Sequence, residues 1–309
     1  MNWTRPRALR AGDVLGVCAP AGTVDPGRLR RGVERLEQIG FRVKVGGAVA
    51  RRHIYTAGTV EERLADLHGF FADDEVAGIV CARGGAGAGW LLPHLDLDLL
   101  RAHFKPFIGY SDVTYLHLVF NQLEKVTFHG PMVAWEFAAG AYDERSWLAA
   151  VQGAPVPYAS EPGDLVPLRD GEGEGRLLGG CLSILAAAAG SPWPLRPDKE
   201  GTVLFIEDVD EKPYKVDRML LQLRSSGGFD GVRAVVFGDM KGCNPPSSAD
   251  FTLEDVIRES LSGLDIPIAL GLSSGHVTGP NVTLPLGVRA RLRCHGEEAR
   301  FEVLEASVE

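Results

Sequence analysis

The sequence has no cysteines at CxxC spacing, no long apolar run, no dense Lys/Arg stripe and no internal repeat. Each absence excludes something. The five cysteines, Cys18, Cys81, Cys181, Cys243 and Cys294, are odd in number and widely scattered. That fits neither a disulfide framework nor a zinc site. Most stand in apolar strand-like runs and are expected as small buried hydrophobes in a reducing cytoplasm. The N-terminus, MNWTRPRALRAGDVLGV, lacks a long apolar segment followed by a small-residue cleavage site, so no secretory leader is expected. The apolar run from Ala186 to Ala189 is far too short to span a bilayer, and no membrane partner is expected. Basic residues are outnumbered, 32 against 41 acidic, for a net charge of −9. This balance argues against nucleic acid as a partner. The densest basic cluster, Arg28, Arg30 and Arg31, reads as a solvated helix face.

What is present is a chain of 309 residues, long enough for two domains that each bury a core. The first half alternates strand and helix. Strands are expected over Asp13–Cys18, Phe41–Val45, Val76–Ala82 and Pro106–Gly109. Helices are expected over Asp25–Ile39, Val60–Phe71 with Thr59 as N-cap, and Asp112–Leu123. The third of these strands is uniformly apolar, as parallel central strands are, and the repeated β-α units predict a parallel sheet with helices on both faces. Functional residues of such sheets gather at strand C-termini. Two features lie there: the glycine loop RGGAGAG, from Arg83 to Gly89, and Ser111. A Pro-, Gly- and acid-rich stretch over 153–175 reads as a connection between residues 1–152 and 176–309. The second half mixes strands at Val203–Ile206, Ala234–Phe237 and Ile268–Leu270 with helices at Tyr214–Leu223 and Leu253–Leu261. It closes on Val288–Cys294 and Ala299–Leu304.

Ser111, in GYSDV, has two readings. A serine before a helix caps it. A nucleophile wants the same strand-to-helix turn, which exposes Oγ and aims backbone N–H groups at a developing oxyanion. The second glycine of a G-x-S-x-G elbow is absent. A serine nucleophile needs a base and a group to orient it. Of eight histidines, His276 in SSGHV and His129 in TFHGPM follow apolar strands, and Gly275 lets the backbone approach His276 closely. Glu207 or Asp208, directly after VLFI, can supply the acid. The acidic group Glu207, Asp208, Asp210 and Glu211 matches no EF-hand spacing, so no metal is expected. RGGAGAG can cradle a phosphate, as in a flavin or nucleotide site, or donate a backbone N–H beside Ser111.

Taken together, VCAPAG, ARGGAGAG, PFIGYSDVTYLH, TFHGPM, GGCLSIL, LFIEDVDEKPYKVDRMLLQL, VVFGDM and GH…NVTLPLG run in order along nearly the whole chain. In that order they resemble the LD-carboxypeptidase family of serine peptidases, which includes murein tetrapeptide carboxypeptidases and microcin C immunity peptidases. The resemblance implies an α/β protein: an N-terminal flavodoxin-like parallel-sheet domain with the nucleophile, and a C-terminal, largely β domain with the rest of the triad. It implies Ser111 as nucleophile, His276 as base and Glu207 as orienting acid. The backbone N–H groups of Asp112 and of Gly84 or Gly85 would form the oxyanion hole. It further implies no cofactor, a cytoplasmic homodimer, and a murein LD-peptide as the small substrate. An immunity-type activity on peptidyl-nucleotides and a non-catalytic flavin or nucleotide binder are the alternatives. Arg83 and Arg218 are candidates for the substrate's terminal carboxylate. Trp90 and Trp135 are candidates for stacking on a base. The chain departs from the family where Cys181 stands for asparagine in GGNLS and Ala86 replaces an aromatic after RGG.

Overall fold

The apolar runs around Val14–Cys18, Val76–Cys81 and Phe107–Gly109 form buried parallel strands, whereas Arg42–Val45 is a mostly exposed edge strand. The computed structural model describes residues 3–153, 159–161 and 163–309. Its first unit comprises Met1–Pro155, Pro280–Pro285 and Ala306–Glu309. Strands β1 (Val14–Cys18), β2 (Arg42–Val45), β3 (Val76–Cys81), β4 (Phe107–Gly109) and β5 (Thr127–His129) pair in parallel in the order 2-1-3-4-5. That is the flavodoxin-like order of a doubly wound sheet. A late strand, β11 (Leu284–Leu286), lies beside β5 as the sixth. Helices α1 (Pro26–Gln38), α2 (Val60–Ala72), α3 (Leu97–Ala102), α4 (Thr114–Gln122) and α5 (Glu144–Gln152) complete the unit. Asp25 caps α1 ahead of a proline, and Thr59 and Glu62 close a capping box on α2. Leu15, Val17, Val80, Ile108 and Phe128 from the sheet share one core with Phe137 and Trp147.

The second unit comprises Val156–Gly279 and Leu286–Glu305. Strands β6 (Val166–Arg169), β7 (Gly171–Cys181), β8 (Thr202–Glu207), β9 (Val232–Gly238), β10 (Ile268–Leu272), β12 (Arg289–His295) and β13 (Glu298–Val303) form one seven-stranded sheet in the order 13-12-7-8-9-10-6. Its centre, β7 to β10, is parallel, and its edges are antiparallel. Helices α6 (Leu182–Ala188), α7 (Pro213–Ser225) and α8 (Leu253–Ser260) accompany it. No helix among the described residues is long and apolar enough to cross a membrane. All five cysteines are buried thiols.

Two expectations are corrected. The stretch 153–175 is not a connection throughout, because β6 and the start of β7 lie within it; residues 154–158 and 162 of that stretch lie outside the described residues. The glycines of GEGEG imitate a linker for a packing reason. A Cβ on Gly173 would meet the Arg233 carbonyl at 2.0 Å, and one on Gly175 the Gly201 carbonyl at 2.4 Å. The glutamates between them pair across the sheet, Glu174 with Arg289 and Arg291, and Glu172 with Arg291 and Arg293. In addition, residues 280–285 and 306–309, expected in the C-terminal domain, belong to the first unit.

A buried histidine joins α4 to the sheet. His117 Nε2 donates to the Gly109 carbonyl at 2.8 Å, and Nδ1 accepts from Thr127 Oγ1 at 2.9 Å. One neutral tautomer satisfies both bonds. Burial pushes its pKa down to about 3, from 6.5. Below pH 6.5 the unfolded chain takes a proton that the folded chain refuses. Stability therefore falls as pH drops from 6.5 towards about 3, by up to about 1.4 kcal/mol per pH unit from this group. Urea unfolding across that window is expected to show a shallower decline in His117→Gln than in the wild type. Equal slopes would remove His117 as the cause.

Candidate active site

Beyond β4 the chain turns sharply. Tyr110 is extended, at φ −153° and ψ −169°, and Ser111 lies in the left-handed region at φ +64°. A non-glycine residue held there costs about 1–3 kcal/mol and persists only when its surroundings enforce it. Ser111 opens a 3-10 turn, Ser111–Val113, that leads into α4, and neither element carries a side-chain cap. The capping reading therefore fails. The geometry is that of an elbow presenting Oγ at the strand's C-terminal end.

Buried polar side chains enforce the turn. Tyr110 donates its hydroxyl to Glu136 Oε1 at 2.6 Å, and Glu136 Oε2 accepts from the Met132 amide at 2.9 Å. Glu136 sits in a π-helical turn, Val133–Phe137, of the kind frequent at functional sites. The Tyr110 ring packs against buried His129 at 5.5 Å, which places that candidate base beneath the elbow. His117 holds the carbonyl of Gly109. Trp135, a candidate for stacking, has the Arg28 guanidinium 4.3 Å over its ring.

The glycine loop after β3 runs directly against the serine. A Cβ on Gly84 would stand 2.7 Å from Ser111 Cβ and 2.9 Å from its Oγ. Gly85 follows at φ +114°. The Gly84 carbonyl accepts from the Gly22 amide at 3.0 Å, and Arg83 Nη1 donates to the Thr23 carbonyl at 2.9 Å. Arg83 thus ties the loop to the segment after β1. Asp112 Oδ2 accepts from the Ala88 amide at 2.7 Å. Further along, Trp90 is 68% exposed and lines a cavity of about 500 Å3 with His53, Ile54, Tyr55 and Thr56. In the first unit, then, Ser111, Asp112, Gly84, Gly85 and Arg83 come together.

In the second unit Glu207 and His276 meet. Glu207 ends β8 at 1% exposure. Its Oε2 takes His276 Nδ1 at 2.7 Å and the His276 amide at 3.0 Å. The close approach needs Gly275, at φ +92°, where a Cβ would fall 2.5 Å from the Glu207 carboxyl. Asp208 is engaged elsewhere. It accepts from the Ser183 and Val209 amides at 2.7 and 2.8 Å, tying the start of α6. Cys181 stands opposite Glu207 in register at the end of β7, with Sγ 3.3 Å from Ser183 Oγ. Burial, with the Glu207 and Asp208 charges adding to it, pushes that thiol well above its ordinary range. It is neutral and no rival nucleophile. Arg218 lies on the exposed face of α7 with Tyr214 and Leu221.

Two sequence profiles cover most of the chain. Residues 15–130 match the LD-carboxypeptidase N-terminal domain, and residues 174–292 match the LD-carboxypeptidase C-terminal domain. The chain belongs to the LD-carboxypeptidase family. It is 38% identical to a probable murein peptide carboxypeptidase of Bacillus subtilis, over 98% of this chain and 95% of that protein. Among solved structures it resembles muramoyltetrapeptide carboxypeptidase from Oxalobacter formigenes, with a TM-score of 0.83, 30% identity and coverage of 95% and 99% of the two chains. It also resembles MccF in complex with glutamyl sulfamoyl guanosine, with a TM-score of 0.86, 25% identity and 99% coverage of both chains. As a member of this family the chain is a serine-type peptidase of the murein peptide carboxypeptidase group.

The Gly84 contact yields a direct expectation for this carboxypeptidase. Gly84→Ala forces Ser111 or the loop aside, because the new Cβ meets Ser111 Cβ at 2.7 Å. Carboxypeptidase kcat is expected to fall by roughly 100-fold or more, comparable to losing one oxyanion donor. Circular dichroism is expected to be unchanged. A folded Gly84→Ala variant with full kcat would detach this loop from the chemistry.

Proposed function

We propose that the chain cleaves the L-D peptide bond before a C-terminal D-residue and releases D-alanine from murein tetrapeptide in cytoplasmic cell-wall recycling. The observation that carries this reading is the Ser111 backbone, held at φ +64° with no helix cap to account for it. In this reading His276 and Glu207 serve Ser111 as base and orienting acid. With Nδ1 on Glu207, Nε2 is the nitrogen that takes the Ser111 proton as Oγ attacks the carbonyl. The carboxylate of Glu207 fixes the tautomer and stabilises the imidazolium. The amides of Asp112 and of Gly84 or Gly85 hold the oxyanion. The imidazolium then protonates the leaving amine of D-alanine. Water, activated by the same histidine, clears the acyl-enzyme. Arg83, fixed beside the loop through Thr23, is our choice over exposed Arg218 for the substrate's terminal carboxylate.

A second reading, an immunity-type peptidase acting on a peptidyl-nucleotide, is favoured by Trp90. That exposed ring beside a cavity offers a face for a planar base, and the likeness to MccF supports the same idea. A non-catalytic flavin or nucleotide binder is less well supported. The Ala88 amide, which a phosphate cradle would offer, is spent on Asp112, whose carboxylate would repel phosphate.

Mass spectrometry of murein tetrapeptide incubated with the protein is expected to show tripeptide and free D-alanine. Ser111→Ala is expected to reduce that release by about 10^4-fold or more and to abolish labelling by a serine-reactive probe. Release that persists in Ser111→Ala would refute the mechanism. Cleavage of a peptidyl-nucleotide but not of tetrapeptide would favour the second reading.

A further inference from the structure

The glycine loop is gripped from both sides of one peptide group. Between Gly87 and Ala88, the carbonyl accepts from Arg63 Nη1 at 2.8 Å and the N–H donates to Asp112 Oδ2 at 2.7 Å. Both side chains are buried, Arg63 at 3% and Asp112 at 4% exposure. Arg63 Nη1 also donates to the Pro20 carbonyl at 2.6 Å, so one guanidinium joins the loop after β1 to the loop after β3. Asp112 is the residue that follows Ser111. A carboxylate fixed to the nucleophile's own turn therefore sets where the loop lies, and Gly84 of that loop touches Ser111.

The arrangement is costly. Burial pushes the Asp112 pKa up to about 6, with the Ala88 N–H and the Arg63 charge pulling against that rise. A neutral side chain would be cheaper to bury. The Gly87–Ala88 peptide matches the two charges as a dipole, guanidinium on its oxygen and carboxylate on its N–H. Such charge-assisted bonds are shorter and stronger than neutral ones.

We infer that Asp112 and Arg63 are positioning residues for the reaction: by clamping the Gly87–Ala88 peptide they hold the glycine loop at the height where its amides meet the oxyanion on Ser111. The inference rests on Ser111 being the nucleophile. A loop that sags by about 1 Å costs on the order of 100-fold in rate. Because the oxyanion exists only after attack, the loss falls on kcat rather than KM.

The test compares Asp112→Ala, Asp112→Asn, Arg63→Met and the Asp112→Ala/Arg63→Met pair in the full chain. Three quantities are measured: kcat and KM for D-alanine release from murein tetrapeptide, the rate of Ser111 modification by diisopropyl fluorophosphate, and the thermal midpoint. Asp112→Ala and Arg63→Met are each expected to lose roughly 10- to 100-fold in kcat and in probe rate, with KM within about three-fold. Removing both is expected to add no more than about three-fold to the larger single loss, because they hold one peptide. Asp112→Asn can still accept from Ala88 and is expected to regain at least about half of the loss on a logarithmic scale. If Arg63→Met does not fold, Arg63→Lys takes its place. Folded variants with wild-type kcat and shifted thermal midpoints would make the clamp merely structural and overturn the inference. So would losses confined to KM, or single losses that multiply. A wild-type protein that neither releases D-alanine nor reacts at Ser111 overturns the nucleophile reading and the inference with it. A wild type that reacts at Ser111, with Asp112→Ala reacting equally fast, overturns the inference alone.

Discussion

A serine held in the left-handed backbone region must be kept there by its neighbours, and much of the buried polar chemistry of the first unit does this. The Tyr110 hydroxyl is tied to Glu136, Glu136 to the Met132 amide, and the Gly109 carbonyl to His117. Tyr110, His117 and Glu136 are all buried, so each of these bonds would be expensive to leave unmade. Residue 110 is pinned by its side chain, residue 109 by its carbonyl and residue 112 by its carboxylate. The conformation of residue 111 then follows from what flanks it.

The second unit solves a different problem, the burial of a carboxylate beside an imidazole. Glu207 closes β8 with apolar residues before it, and a Cβ on Gly238 would meet its Cβ at 2.9 Å. Room for the carboxyl exists only because Gly275 brings the chain in without a side chain. Two bonds from His276, ring and amide, then reach one oxygen. Ring orientation is thereby fixed by backbone as well as by side chain.

The βα succession was legible because parallel strands buried on both faces read as plain apolar runs. Capping by Thr59 was legible because it is local, as was the glycine demanded beside His276. The strand in GEGEG was not legible, since glycine required by a crowded crossing has the composition of a loose connection. Arg63 looked like any charged residue on an amphipathic helix; besides the Thr59 carbonyl on its own helix cap, its partners lie 24 and 43 residues away in sequence. Glu136 gave no signal either, its tyrosine being 26 residues distant. Glu207 and His276 are 69 residues apart, and only the family resemblance, not any spacing rule, linked the two.

The division of the chain into units has a consequence for synthesis. The first unit's sheet takes its sixth strand from β11, whose residues 284 and 285 belong to that unit, and the unit takes further residues from 306–309, where the Ala8 amide bonds to the Glu309 carbonyl. On the ribosome its sheet stays one strand short, with β5 at an open edge, until nearly the whole second unit has emerged. The nascent protein therefore carries an exposed strand edge for most of its translation, the kind of surface that recruits unwanted partners. The unit that holds Ser111 is the first to begin folding and among the last to finish.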